Sequence, residues 1–366
     1  MKLQPGGVQR AIENSEKHRR HPFTPAEHIN NTAGKYHSAM TREPHLNAAP
    51  ATVSPSPNAR PGAGRYAPSP SGDLHLGNLR TALLAWMLAR QGNLRFVMRI
   101  EDLDRVKEGA AQQQLADLAS LGLDWEQPVL YQSTRRNAYQ REFERLQAAG
   151  MVYECYCTRR EIQQAATAPH GAPGAYPGTC RELSDQQRAE RHAHRAPAYR
   201  LRAGVSEYTV HDMFRGDYTA AVDDVVLVRN DGTFAYNLAV VVDDYFQGVT
   251  QVVRGDDLLS SAPRQAYVAH LLGYPPVTYA HVPLALNEEG KRLAKRDGAV
   301  TLPQLRQAGF TEADVLSWIA ASIPVTDPKK TGGAQVFESA MHILRFFDPQ
   351  RMSLEPWTVR DPLKIS

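Results

Sequence analysis

The chain has 366 residues, 42% of them hydrophobic and 22% charged, and a formal net charge of +3. That balance is typical of a soluble globular protein with room for a proper core and one large or two ordinary domains. It excludes a disordered chain, and no apolar run approaches the ~20 residues of a membrane span. Residues 1–30 are polar and lack the apolar stretch of a secretory leader, so a cytoplasmic protein with no membrane partner is expected. Residues 1–63 hold eight Lys/Arg against four Glu, which leaves the rest of the chain at −1. That segment is rich in Pro, Asn, His and Ala without a sustained period, and it reads as a disordered extension or else as a basic arm that tethers RNA. A polyanion bound by the remaining body must be held by a local patch.

The first regular element is a short strand over Arg65 to Ala67, followed by the loop Pro68-Ser69-Pro70-Ser71-Gly72 and a helix. The helix is marked by Leu79, Leu83, Leu84, Met87 and Leu88 at helical spacing and ends near Gly92. A strand, a small-residue loop and a helix N-terminus together suit phosphate, because unpaired main-chain N–H groups and the positive end of the helix dipole converge there. His75 and Asn78 stand one turn apart at that end. A strand over Leu94 to Ile100 leads into Glu101-Asp102-Leu103-Asp104, and helices follow over Lys107 to Leu121 and Thr134 to Ala149. Alternating strands and helices predict an α/β fold with a parallel sheet, which puts the 68–78 loop and Glu101 at one mouth. From Tyr153 to Tyr218 short β-like pieces surround a Pro/Gly-rich loop, the texture of an insertion. The main pattern then resumes with a strand over Asp224 to Arg229, the turn Asn230-Asp231-Gly232 and a helix over Phe234 to Tyr245. A strand from Thr250 to Gly255, a helix from Ser261 to Leu272, a strand from Tyr279 to Leu286 and the basic loop 290–298 follow. Modest helices are expected over 302–345. The implied divisions are 1–63, 64–150 and 223–300 as two halves of a catalytic domain, 151–222 as an insertion, and 301–366 as a helical tail.

All three cysteines, Cys155, Cys157 and Cys180, lie within 26 positions. An odd count in a cytoplasmic protein argues against a disulfide framework, and clustered thiolates argue for structural zinc. A fourth ligand is then required, with Tyr176, His170, His192 and His194 as candidates.

Seven stretches in order resemble the class I glutamyl-tRNA synthetases: Arg65 to Gly72, His75-Leu76-Gly77-Asn78, Arg99 to Asp104, Tyr236 to Ala239, Val242-Asp243-Asp244, Val253 to Leu258, and Arg292-Leu293-Ala294-Lys295-Arg296. The likeness runs from about Gly64 to Ile323. It implies a Rossmann-type parallel-sheet catalytic domain with a small zinc-containing insertion. It also implies a ligase that uses L-glutamate and ATP with Mg²⁺. The segment Arg65, Tyr66, Ala67, Pro68, Ser69 would hold glutamate, Arg65 facing its side-chain carboxylate. Arg254 would be a second cation, Glu101 would take the ammonium group, and Tyr236 would line the pocket. Read alone, Glu101 is a helix-capping carboxylate and Arg254 a surface ion pair.

His75, Gly77 and Asn78 correspond to the first ATP signature, with Asn in its last place. Arg292 and Lys295 belong to the second, where Lys295 would steady the departing pyrophosphate. Arg292 replaces a lysine there and Ala294 a serine, so charge is kept and one hydroxyl donor is lost. The spacing Cys155, Cys157, Tyr176, Cys180 resembles that of the truncated branch which places glutamate on the queuosine base of tRNA(Asp), and favours Tyr176 as fourth ligand. Only 71 residues follow Lys295, too few for a large helical anticodon-binding domain. The expectation is a monomer acting on tRNA(Asp) that carries queuosine. The alternatives are a short synthetase charging a tRNA 3′ end and a non-catalytic paralogue that binds RNA or nucleotide.

Overall fold

A computed structural model describes residues 61–166 (side chains to 163), 176–293, 300–328, 335–360 and 363. The expected extension up to residue 60, His170 and residues 294–299 with Lys295 lie outside them. From the N-terminal side the chain forms β1 (Ala63–Tyr66), α1 (Leu76–Gln91), β2 (Arg95–Ile100), α2 (Ala110–Ser120), β3 (Glu126–Tyr131) and α3 (Arg136–Ala148). There follow β4 (Val152–Cys155), α4 (Arg159–Ala166), α5 (Asp185–His194), β5 (Ala198–Leu201), β6 (Glu207–Asp212), β7 (Gly216–Ala221) and β8 (Val226–Val228). The second half has α6 (Tyr236–Gln247), β9 (Val249–Gly255), α7 (Ala262–Leu271), β10 (Thr278–Val282) and β11 (Ala285–Leu286). The last elements are α8 (Leu302–Gln307), α9 (Glu312–Ala320), α10 (Ala340–Leu344) and β12 (Trp357–Thr358). Among the described residues no helix is long and apolar enough to cross a membrane.

Seven strands make one sheet in the order β3-β2-β1-β9-β10-β6-β7, parallel throughout except for the β6–β7 hairpin at its edge. The hairpin falls within the stretch expected as an insertion, yet it joins the main sheet by pairing Asp212 with Tyr279. Strand β3 begins Glu126-Gln127-Pro128, which does not read as a strand. It is tolerated because it lies at the sheet edge, where a residue without an N–H costs no ladder bond.

Helix α1 is buried nearly all round, from Leu76 and Leu79 to Trp86 and Ala89. A helix apolar on every side must be covered on every side. The sheet covers one flank of α1 through Phe96, Met98 and Val253. Leu302, Leu316, Ile319, Ile343 and Phe347 of the C-terminal region belong to the same core cluster. A second core joins α3, α6 and α7 around Leu238, Tyr139 and Val268. The antiparallel sheet β4-β5-β8 stands beside a small cluster of Tyr153, Tyr156, Tyr176, Cys155 and Cys180.

Candidate functional site

Because β1, β2, β9 and β10 run parallel, their carboxyl ends open on one side, and a cleft of about 970 Å³ lies there. Its wall includes Arg65, Tyr66, Ala67, Pro68 and Ser69 from the first strand and loop. His75, Gly77 and Asn78 come from α1, and Glu101, Tyr236, Arg254 and Arg292 complete the expected set. Residues up to 228 positions apart in sequence, Arg65 and Leu293, thus share one cavity.

Two guanidiniums on its wall are buried, Arg65 and Arg254, and Arg99 is buried behind them, exposed by only 3%, 5% and 0% respectively. Two of the three share one acid. Asp244 on α6 accepts from Arg99 Nη1 at 2.8 Å and from Arg65 Nε at 3.4 Å. Burial raises the Asp244 pKa, but the charges of Arg99 and Arg65 outweigh it and leave the carboxyl below its ordinary range. Glu101 differs. Burial is the largest influence on it, and Arg99, at 3.4 Å, together with Arg65 does not fully offset that, so its pKa is raised. An added cation beside Glu101 would relieve it.

Arg254 is anchored by neutral groups. Its Nε donates to His281 Nε2 at 3.0 Å, Nη1 to Gln265 Oε1 at 2.7 Å and Nη2 to the Leu258 carbonyl at 3.2 Å. His281 is fully buried, and its Nδ1 faces Asp212 Oδ2 at 2.7 Å. Since Nε2 accepts from a guanidinium, the imidazole proton is on Nδ1 and donated to Asp212. Burial is also the largest influence on the His281 pKa and lowers it, keeping the ring neutral. Arg254 is therefore a buried cation, not a surface ion pair, and among the described residues no carboxylate contacts its guanidinium.

The first turn of α1 departs from expectation. His75 is the N-cap, and its Nδ1 accepts from the N–H groups of Gly77 and Asn78 at 3.1 and 3.3 Å. Asn78 Oδ1 accepts from the His75 N–H in return, and the Leu76 N–H donates to Val300 O. The main-chain donors that a helix N-terminus would offer to phosphate are thus already occupied. What remains for a ligand is side chain: the His75 proton sits on Nε2, and the Asn78 amide nitrogen is free of this box. Burial and then Arg292 push the His75 pKa down to about 4, so the ring donates as a neutral group at physiological pH. On this account stability is present above pH ~6.5, the unfolded value, and falls as the pH drops toward 4. Gly77 cannot carry a side chain cheaply, because a Cβ there would lie 3.0 Å from that of Ala285 and 3.1 Å from the His75 ring. Arg292 is paired with Asp257 across the cleft wall.

Away from the cleft, the sulfur atoms of Cys155, Cys157 and Cys180 lie within 4.8 Å of one another. Tetrahedral zinc–thiolate bonds of ~2.3 Å place sulfurs roughly 3.8 Å apart, and Cys157 to Cys180 is 3.5 Å. The Tyr176 hydroxyl completes the group, 3.4 Å from Cys155 Sγ and 3.8 Å from Cys157 Sγ. His192 instead faces the Tyr156 hydroxyl, and His194 is exposed on α5. The residues present fit a four-coordinate metal. Asp224 braces this unit through Tyr153, Arg181 and the Ala203 N–H, while Asp223 accepts from the Tyr176 N–H.

Residues 63–331 match the family model described as "tRNA synthetases class I (E and Q), catalytic domain". The chain belongs to the class I tRNA synthetases (E and Q). A glutamyl-Q tRNA(Asp) synthetase of Nocardia farcinica is 60% identical over 303 residues, covering 82% of this chain and 94% of the relative. One of Cutibacterium acnes is 53% identical over 277 residues, covering 74% and 79%. Among solved structures, a glutamate tRNA ligase from Elizabethkingia meningosepticum, in complex with its amino acid, superposes with a TM-score of 0.68 at 25% identity. That match covers 82% of this chain and 67% of the other.

Within this class I synthetase the cleft gathers every expected glutamate and ATP residue that is described. Four further participants carry no local signal of their role. Asp244 and Arg99 sit inside quoted motifs but gain meaning only by meeting 145 positions apart. Asp212 lies in the stretch expected as an insertion. Gln114, buried on α2, donates to the carbonyls of Ser69 and Gly72 and so pins the 68–73 loop.

Proposed function

We propose that this class I synthetase activates L-glutamate with ATP and Mg²⁺ and transfers the glutamyl group to a hydroxyl of queuosine in tRNA(Asp). The observation that carries the reading is one cleft in which Arg65, Glu101, Tyr236 and Arg254 face the same space as His75 and Asn78. A dicarboxylic amino acid needs cations for its acids and an acid for its amine, and this wall offers both. The names of the relatives in Nocardia farcinica and Cutibacterium acnes support the choice of tRNA.

In the first step the glutamate α-carboxylate oxygen attacks the α-phosphorus of ATP. A new O–P bond forms, and the bond to the β-phosphate breaks with its electron pair leaving on pyrophosphate. The His75 Nε2–H and the Asn78 amide donate to phosphate oxygens, and Arg292 adds positive charge. Lys295, in the second signature, would meet the departing charge. In the second step a queuosine hydroxyl attacks the glutamyl carbonyl, AMP leaves, and the hydroxyl proton passes to its phosphate or to water. Neither step requires a covalent enzyme intermediate. Mg²⁺, when bound with ATP, neutralises phosphate charge.

Labelled glutamate should appear on tRNA(Asp) carrying queuosine and be absent from the same tRNA without it. Equal labelling of both would favour a synthetase charging the 3′ end. Absence of glutamate-dependent ATP–pyrophosphate exchange would mark a non-catalytic binder.

Cys155, Cys157, Tyr176 and Cys180 would hold one structural Zn²⁺, supported by the sulfur spacing above. Purified protein should contain about one zinc per chain. Cys180→Ser should lose it and melt several degrees lower. A full-length protein free of zinc yet equally stable would refute the site.

A further inference from the structure

The segment around β12 lies beyond the last helix and outside every motif, yet its contacts lead to the cleft. Trp357 N–H donates to Leu284 O at 2.9 Å and Val359 N–H to Leu286 O at 2.8 Å, pairing β12 in parallel with β11. On the other edge of β11, Leu293 N–H donates to Ala285 O at 3.1 Å, and Leu286 bridges Arg292. Strand β11 is therefore the middle of three limbs, with β12 outside and the Arg292–Leu293 limb at the cleft wall. Alone, a two-residue strand with one open edge would be marginal.

The same strand presses on α1. Ala285 is the residue that a Gly77 Cβ would strike. Arg80 of α1 donates to Pro283 O at 2.7 Å, and its guanidinium lies 6.0 Å from the Trp357 ring centroid. On the far side of the second signature, Val300 O accepts from the Leu76 N–H and Thr301 bridges His75. Residues 300–301 are thus bonded directly to the first turn of α1, whereas Arg292 and Leu293 reach it through β11, which packs on Gly77 by way of Ala285 and which β12 backs.

We propose that residues 357–359 are a positioning element for the nucleotide end of the cleft: by completing the ladder behind β11 they hold Arg292 and Leu293 against the His75 end of α1. This rests on assigning that end to ATP. The segment touches no reacting group, so its effect should fall on one ligand.

Trp357→Pro removes both the N–H and the ring, whereas Trp357→Ala keeps the N–H. For each variant and the parent chain, ATP·Mg²⁺ is titrated without glutamate, and glutamate without ATP. One lost hydrogen bond corresponds to a weakening of ATP by about fivefold to tenfold in Trp357→Pro. Trp357→Ala should fall between it and the parent, with glutamate affinity within about twofold in both. Unchanged ATP affinity, or equal weakening of both ligands, overturns the proposal. If Trp357→Pro does not fold, Trp357→Ala decides by the same split. A parent chain that binds no ATP would end the nucleotide reading itself, a result distinct from either.

Discussion

Asp244→Asn should lower the melting temperature by ~10 °C and leave little glutamate-dependent exchange. The carboxylate is the shared partner of Arg65 and Arg99, both buried. An amide of the same shape keeps the volume but removes the charge that balances them. Breaking a buried pair by losing one partner costs ~3–5 kcal/mol, since a charge stays behind without compensation. At roughly 2–4 °C per kcal/mol for a body of this size, that gives the stated shift. The acid limb offers a second readout. Because the Asp244 pKa lies below its unfolded value, its stabilisation is present above pH ~4 and is lost as the pH falls through the depressed value. The variant should therefore show a shallower loss of stability in acid than the parent. Asp217→Asn, at an exposed carboxylate paired with His211, should shift stability by no more than ~0.5 kcal/mol. Scanning calorimetry across pH 3–8 checks both. A melting point within ~2 °C of the parent would mean that Asp244 does not hold the two guanidiniums.

The division between what the residues announced and what they concealed follows from distance along the chain. His75 to Asn78 could be placed at a helix start because loop and helix are contiguous, and Cys155, Cys157 and Cys180 could be grouped because their spacing is short, whereas Tyr176 was singled out only by resemblance. The parallel sheet was legible from alternation of apolar strands with amphipathic helices. Asp212 and His281 were not, being 69 positions apart and joined only because β6 pairs with β10. A residue expected within an insertion gave no hint that it would underpin a cation of the cleft wall. Strand β12 was hidden for the same reason, since two residues without a period mean nothing until β11 lies beside them. The first turn of α1 teaches a different lesson. Strand, loop and helix imply free main-chain donors, but the His75 imidazole has two nitrogens, and Nδ1 occupies the Gly77 and Asn78 donors.

Arg254→Lys should weaken glutamate binding about 100-fold while leaving ATP affinity within about twofold. Lysine keeps the charge but cannot reproduce a fork that reaches His281, Gln265 and the Leu258 carbonyl together. Without those three anchors the cation loses its aim at the ligand, and one lost charge-assisted hydrogen bond to glutamate, at ~1.5–3 kcal/mol, accounts for the factor. Asp212→Asn should reproduce much of this defect from behind. The carboxylate accepts the Nδ1 proton of His281 and so obliges Nε2 to face Arg254 as an acceptor. An amide can equally donate to Nδ1, which moves the ring proton to Nε2 and sets donor against donor at a 3.0 Å contact. Titration of glutamate with each variant, alongside ATP, reads the split. If Asp212→Asn binds glutamate as the parent does, the imidazole orientation is held by packing alone and Arg254 needs no relay behind it. If glutamate weakens and ATP does not, a hydrogen bond two groups removed from the ligand sets the geometry of the pocket's cation.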